Sequence, residues 1–300
     1  MKKKDSLFRE IIAHRNNYLF MAPFMLVFLT FTVIPVLISI FFSFTYFNVL
    51  EPPQFVGLQN FYKLFLNDSL FLTAFSNTLI LAVITGPVGY VLSLFLAWVL
   101  NEFSPALRTT LTFFFYTPSL CGSIFVIWQI LFNGDQYGLL NGLLMNMDLL
   151  YEPIDWTRNT QYMLPVAILI IVWSSFGTGF LSFIAGYQGV DKKLYEAGAM
   201  DGIRNRWQEL WYITLPSMRP QLMFGAVMSI TSSFGVGDVI SGVFGFPSVG
   251  YKLYTLVHEL QDYGNTRFEM GYASAIATVL FVVMVLLNKA VQKMLSKVGQ

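Results

Sequence analysis

Charge is what this chain of 300 residues has least of: only 12% of its residues are Asp, Glu, Lys or Arg. An ordinary soluble domain carries about 25%, so most of this chain does not face water. Its 18 basic and 17 acidic side chains leave a net charge of +1, which offers no general attraction for nucleic acid or an acidic substrate. A single cysteine, Cys121, rules out a disulfide within the chain and a cysteine-based metal site. The two histidines, His14 and His258, lack metal-ligand spacing and read as surface residues. There is no Gly-x-x-x-x-Gly-Lys-Ser/Thr phosphate loop, so the chain does not supply a nucleotide site of its own. Acid, base and metal groups do not converge in the apolar segments, which argues against an intramembrane enzyme.

What the chain does have is long uncharged runs. Residues 16–50, 69–101, 109–134, 159–190 and 270–288 contain no Asp, Glu, Lys or Arg. Because about 20 apolar residues in a helix cross the hydrocarbon core, these runs read as five spans. A sixth lies between Arg219 and about Phe246, interrupted only by Asp238. The fold class expected is therefore all-α integral membrane, with six transmembrane helices and both termini on one side. The basic N-terminus precedes an apolar run far longer than a signal-peptide core, so that run reads as a retained first span.

Lys and Arg collect on the cytoplasmic side of membrane proteins. The termini, the turn at Arg108 and the segment from Lys192 to Arg219 together hold 14 of them, while the opposite loops hold only Lys63, Arg158, Lys252 and Arg267. That asymmetry places both termini in the cytoplasm of a cell (inner or plasma) membrane. Within the spans, Pro35, Gly86, Pro87, Gly89, Pro118, Gly122, Gly177 and Gly179 favour closely packed, interrupted helices over a simple anchor.

The stretch YEAGAMDGIRNRWQELWYITLP, Tyr195 to Pro216, is too charged to cross a bilayer. Asp191 is positioned to cap a helix from Lys192 to about Met200, and Asp201-Gly202 interrupts it. A second helix is predicted, with Ile203, Trp207, Leu210, Trp211 and Thr214 on one face. Leu215-Pro216 limits it, because a residue before proline disfavours the helical region. Two readings remain open: an interfacial helix with tryptophans at headgroup depth, or a compact knob that docks into a soluble partner.

The pattern Glu196-Ala197-Gly198, Asp201-Gly202 and Ile213-Thr214-Leu215-Pro216 resembles the EAA loop of permease subunits of ATP-binding cassette importers. Gly198 stands where that family has a second alanine, a small-for-small change that would loosen the first helix. FVGLQNF at 55–61, SNTLILAVITGPVGYVLSLFLAWVLN at 76–101, FGVGDVI at 234–240 and GYASAIATVLF at 271–281 resemble the carbohydrate branch, that of the maltose and glycerol-phosphate permeases. GVFGFPSVG replaces the usual Gly-Gly-Pro after the fifth span.

The resemblance implies a type I ABC importer permease fold. Its parts would be a cytoplasmic tail over 1–17, a first span over 18–47, a permease core over 73–290 with a coupling loop over 191–217, and a tail over 291–300. It also implies partners: a second permease subunit, an ATPase dimer that binds ATP and Mg, and an extracellular or periplasmic solute-binding protein. Glu196, Ala197, Gly198, Asp201, Gly202, Ile213, Leu215 and Pro216 would couple the chain to the ATPase. The solute would be a sugar or a related compound.

Asp238 is the one acid in a span, and an intramembrane acid marks a candidate functional position. With Ser233 it is a candidate for a water-filled path; alternatively it is hydrated at the outer end of its span or pairs with another subunit. Trp128, Tyr116, Trp173 and Phe176 are able to stack on sugar rings, or simply to pack. The competing function is a stand-alone secondary transporter driven by an ion gradient. Such a protein calls for charges near the midplane and two related halves, which this sequence does not display.

Overall fold

The computed structural model describes residues 14–122 and 125–296. The expected N-terminal tail up to residue 13, and Lys297 with the last residues of the C-terminal tail, lie outside the described residues. Three helices are each long and apolar enough to cross a bilayer alone: Arg15–Phe42, Ser69–Asn101 and Met270–Leu295. The other three crossings are bent pairs. The third span joins Pro105–Leu120 to Phe125–Leu131, with axes at 93°; the fourth joins Thr160–Trp173 to Thr178–Gln188 at 43°; the fifth joins Arg219–Phe234 to Gly237–Phe244 at 42°. The second span runs from Ser69 to Asn101, as its uncharged run implies. The sixth extends to Leu295 and carries Lys289 and Lys293 within its last turns.

The first span meets the bundle through its second half, Ile34–Phe42, which lies against the sixth span. None of the residues from Arg15 to Phe42 is buried, as suits a helix that is apolar on all sides and surrounded by lipid. The remaining spans pack closely, through glycine. A Cβ on Gly225 in the fifth span would lie 2.3 Å from the Phe183 ring of the fourth, and one on Gly89 in the second would lie 2.7 Å from Ser175 Oγ. At the end carrying the termini, Leu100, Phe180, Phe183, Met218 and Leu222 form one buried cluster. Nearer the other end, Trp128, Met163, Ile170, Ile240 and Leu253 form a second.

At the end opposite the termini, Asp68 ties two spans together. Its Oδ1 accepts from the Leu70 and Phe71 amides, capping the second span, and its Oδ2 accepts from the Tyr272 hydroxyl of the sixth at 2.7 Å. The segment between the fifth and sixth spans is held just as firmly. Asn77 donates to the Tyr251 and Tyr254 carbonyls, and Thr78 Oγ1 accepts from the Leu256 amide at 2.9 Å.

His258 is not the surface residue its solitary position predicts: it is 2% exposed. Its Nδ1 accepts from the Thr255 amide at 3.0 Å in a capping box, so the proton resides on Nε2, which donates to the Gly237 carbonyl at 3.0 Å. Burial lowers its pKa and keeps the ring neutral in this role. A short helix that needs its first amides satisfied has recruited imidazole as the acceptor, and the same ring braces the break in the fifth span.

Glu259, beside it, is 0% exposed, and both carboxylate oxygens lack a hydrogen-bond partner. Burial, reinforced by the nearby Asp68 carboxylate, pushes its pKa up from 4.5 to about 7. The folded state therefore favours the protonated acid, an advantage present below 4.5 and lost as pH rises through about 7. Thermal unfolding of the purified protein should show a Tm that falls over this range, and Glu259→Gln should flatten the fall. An identical slope in the variant would exclude Glu259 as its source.

Candidate functional site

The segment between the fourth and fifth spans folds as two short helices closed on each other. Asp191 accepts from the Lys193 amide at 3.0 Å, and the helix Lys192–Met200 follows. It ends in paired reverse hydrogen bonds, Ile203 N–H to the Gly198 carbonyl at 2.9 Å and Gly202 N–H to the Ala199 carbonyl at 3.3 Å. That closure requires a left-handed residue, and Gly202 supplies it at φ +93°. Asn205 then caps the second helix by accepting from the Gln208 amide at 2.8 Å. The sequence pattern did not single out Asn205, although an Asn three residues ahead of Gln is a recognisable capping signal.

The second helix departs from the expected stripe. Leu210–Thr214 forms a π turn, and the Thr214 hydroxyl donates back to the Glu209 carbonyl at 3.1 Å. The extra residue in the turn shifts the register, so that Ile213, Thr214 and Leu215 are buried. Trp211 is left 68% exposed, and Trp207, also exposed, rests on Trp98 of the second span with ring centroids 4.7 Å apart. Leu215 is helical, at φ −59° and ψ −44°, where the proline rule predicted an end. Pro216 lacks an N–H and its ring crowds the carbonyl four residues back; a π turn relieves both demands. The first span uses the same device, a π turn over Leu29–Val33 two residues ahead of Pro35.

The two helices lock through Gly198. A Cβ there would lie 2.6 Å from Ile213 Cδ1 and 3.1 Å from Ile203 Cδ1. Gly198 is thus a close-packing point and does not loosen the first helix. Tyr195 and Thr214 add a hydroxyl pair at 2.9 Å. Arg206 fastens the knob to the end of the second span through Glu102 at 3.1 Å, while also pairing with Glu209 at 2.9 Å. Glu196, Ala197, Asp201 and Gly202 stay exposed on the outward face, beside Leu194 and Met200. Ile213 and Leu215 are instead buried supports, with Pro216 half-buried behind them.

A cavity of about 420 Å³ lies between the second span and the bent third, fourth and fifth spans. Asp238, exposed in the first turn of Gly237–Phe244, lines it. That position suits a carboxylate, since free amides at a helix start favour negative charge. Ser233 points elsewhere: it is buried, its hydroxyl donates to the Ile230 carbonyl at 2.9 Å, and it would stand 3.3 Å from a Cβ on Gly86. Ser229 and Ser232 line the cavity instead. Of the four candidate aromatics only Tyr116 lines it. Trp128 and Trp173 pack edge to face at 5.0 Å, and Phe176 packs on Phe115 and Phe180.

The sequence model of the family described as "Binding-protein-dependent transport system inner membrane component" matches residues 89–297. The chain is 34% identical to the probable ABC transporter permease protein YesP of Bacillus subtilis (strain 168), over 96% of this chain and 92% of that one. It is 31% identical to the arabinooligosaccharides transport system permease protein AraP of the same organism, over 95% and 90%. To the lactose transport system permease protein LacF of Rhizobium radiobacter it is 30% identical, over 90% of each chain. In fold it superposes on a chain from the crystal structure of a bacterial ABC transporter involved in the import of the acidic polysaccharide alginate. That match has a TM-score of 0.77 and 21% identity, and covers 99% of this chain and 100% of that one.

The Gly198–Ile213 contact makes a local prediction. Gly198→Val should cost about 1–3 kcal/mol of knob stability through overpacking, and Gly198→Ala less, because only the end of an isoleucine side chain need move. Limited proteolysis between Lys192 and Arg219 would read the difference; equal resistance in wild type and Gly198→Val would rule out the contact as a lock.

Proposed function

This chain belongs to the family of binding-protein-dependent transport system inner membrane components, and we propose that it forms half of an importer's translocation path and is driven through its knob. It is a membrane-embedded permease subunit of an ATP-binding cassette importer, with the type I fold, and is not an enzyme. No observation favours the gradient-driven alternative. Its cargo is a saccharide; relatives with sugar-transport names support this reading.

The complete machine pairs this chain with a second permease subunit, two copies of a cytoplasmic ATPase carrying ATP and Mg, and an extracellular or periplasmic solute-binding protein. Fourteen of the 18 Lys and Arg lie on the side of the termini and the knob, which supports a cytoplasmic place for all three.

The observation that carries this reading is the knob itself. A rigid, doubly capped pair of helices presents Glu196, Ala197, Asp201 and Gly202 outward, while Gly198, Ile213, Leu215 and Pro216 form its packed back. The Arg206–Glu102 pair and the Trp207–Trp98 contact attach it to the second span. Displacement of a partner gripping Glu196 would therefore be carried into the bundle through packed side chains.

In the complex purified with its partner chains, Glu196→Ala and Gly202→Val are each expected to lower binding-protein-stimulated ATP hydrolysis and uptake by about tenfold or more, with membrane insertion unchanged. Wild-type rates in both variants would remove the docking role. Uptake by the chain alone in liposomes without ATP would replace the whole reading.

A further inference from the structure

At the end of the bundle that carries the knob, a groove of about 280 Å³ runs between the third and fourth spans. Arg108, Thr112 and Tyr116 line it at four-residue steps from the start of Pro105–Leu120, with Phe113 beside them, and Leu181 and Ile184 form the facing wall. From Arg108 to Tyr116 is roughly 12 Å of helix. The lining is graded along that length. Arg108 and Gln188 stand at the mouth, where the third span starts and the fourth ends. Deeper in the bilayer the lining is mostly apolar, and Phe113 is 66% exposed.

Two polar atoms on this wall have no partner. Arg108 Nε is buried and unbonded; among the described residues the guanidinium makes one hydrogen bond, Nη2 to the Phe103 carbonyl at 3.2 Å, although it carries five donors. Thr112 Oγ1 is also buried and unbonded, whereas Thr109, Thr110 and Thr117 of the same helix each donate to the carbonyl four residues back. No acid balances the Arg108 charge among the described residues. Glu102 and Glu209 border an adjoining cavity with Arg108, but Arg206 holds both. Lys192 borders that cavity as a further cation. A guanidinium held partly out of water without an anion is unfavourable, and an anion reaching it removes that cost.

We propose that this groove binds an anionic phospholipid from the leaflet on the knob's side, with its phosphate against Arg108 and one acyl chain along Phe113, Leu181 and Ile184. The phosphate accepts charge-assisted hydrogen bonds from the guanidinium. The apolar stretch takes the chain, and gives a free phosphate nothing to bury. Basic pockets between membrane helices are places where anionic headgroups bind. Tyr116 lines both this groove and the central cavity, so the lipid lies against a side chain of the cavity wall.

Photocrosslinking tests this in the assembled importer, reconstituted in phosphatidylcholine bilayers. Trace phosphatidylglycerol and trace phosphatidylcholine, each carrying the same photoreactive acyl chain, are compared and the labelled peptides mapped. Phosphatidylglycerol should label residues 105–116 and 181–188 about fivefold more than phosphatidylcholine, the worth of one cation beside an anionic headgroup. Arg108→Gln should bring that ratio close to one, with unchanged phosphatidylcholine labelling as the check on folding, and Arg108→Lys should restore most of the preference. Equal labelling by the two wild-type probes, or a ratio unmoved by Arg108→Gln, would overturn the proposal. Absence of labelling by either probe would overturn it too, since another protein chain would then cover this face. Loss of the preference on adding millimolar inorganic phosphate would assign Arg108 to a soluble anion instead of a lipid.

Discussion

A bilayer offers no water to an unpaired backbone group, so every interruption of a membrane helix must be satisfied from within the protein. This constraint shapes the chain more than any other. Three of its six spans are broken, and the breaks of the fourth and fifth carry local hydrogen bonds. In the fourth span Gly177 donates to the Ser175 carbonyl and Ser174 to Ile170; in the fifth, Gly235 donates to Thr231 and Ser232. His258 reaches in from the segment between the fifth and sixth spans to hold the Gly237 carbonyl. The same breaks border a cavity whose serines, Ser174, Ser175 and Ser232 among them, donate to carbonyls of their own helices.

Mobility and rigidity are therefore divided within one short chain. The cavity is walled by bent helices and small residues, which allow close approach and sliding. The knob is built for the opposite purpose, with a cap at each helix start, a left-handed glycine between, and an isoleucine seated on a glycine. A force applied to its outward face meets few soft joints before reaching the second span. Proline placement follows the same logic, because both Pro35 and Pro216 sit two residues after a π turn that accommodates them without ending the helix.

Much of this was legible in the linear chain. The uncharged runs located five spans and the segment interrupted by Asp238 a sixth, Asp191 announced the start of the knob and Gly202 its turn. The misreadings share a cause. His258 looked solitary because its partners, Gly237 and Ser241, approach only through folding. Trp207 and Trp211 were placed on one face with Ile203, Leu210 and Thr214 by a regular 3.6-residue period, which a π turn does not keep. Ser233 and Asp238 are five residues apart with a bend between them, so sequence proximity put them on one path while the bend turned them apart.

What the sequence alone determined is the part governed by local chemistry: which segments enter lipid, where caps and turns stand, and the composition of the knob. These depend on transfer free energies and backbone preferences that act over a few residues. Only the tertiary structure decided which face of each helix looks into the cavity, that Ser233 is turned away from it, and that Glu259 is sealed away. Those outcomes depend on the rotation of one helix against another, and rotation is set by close packing between residues distant in the chain, such as Gly225 against Phe183.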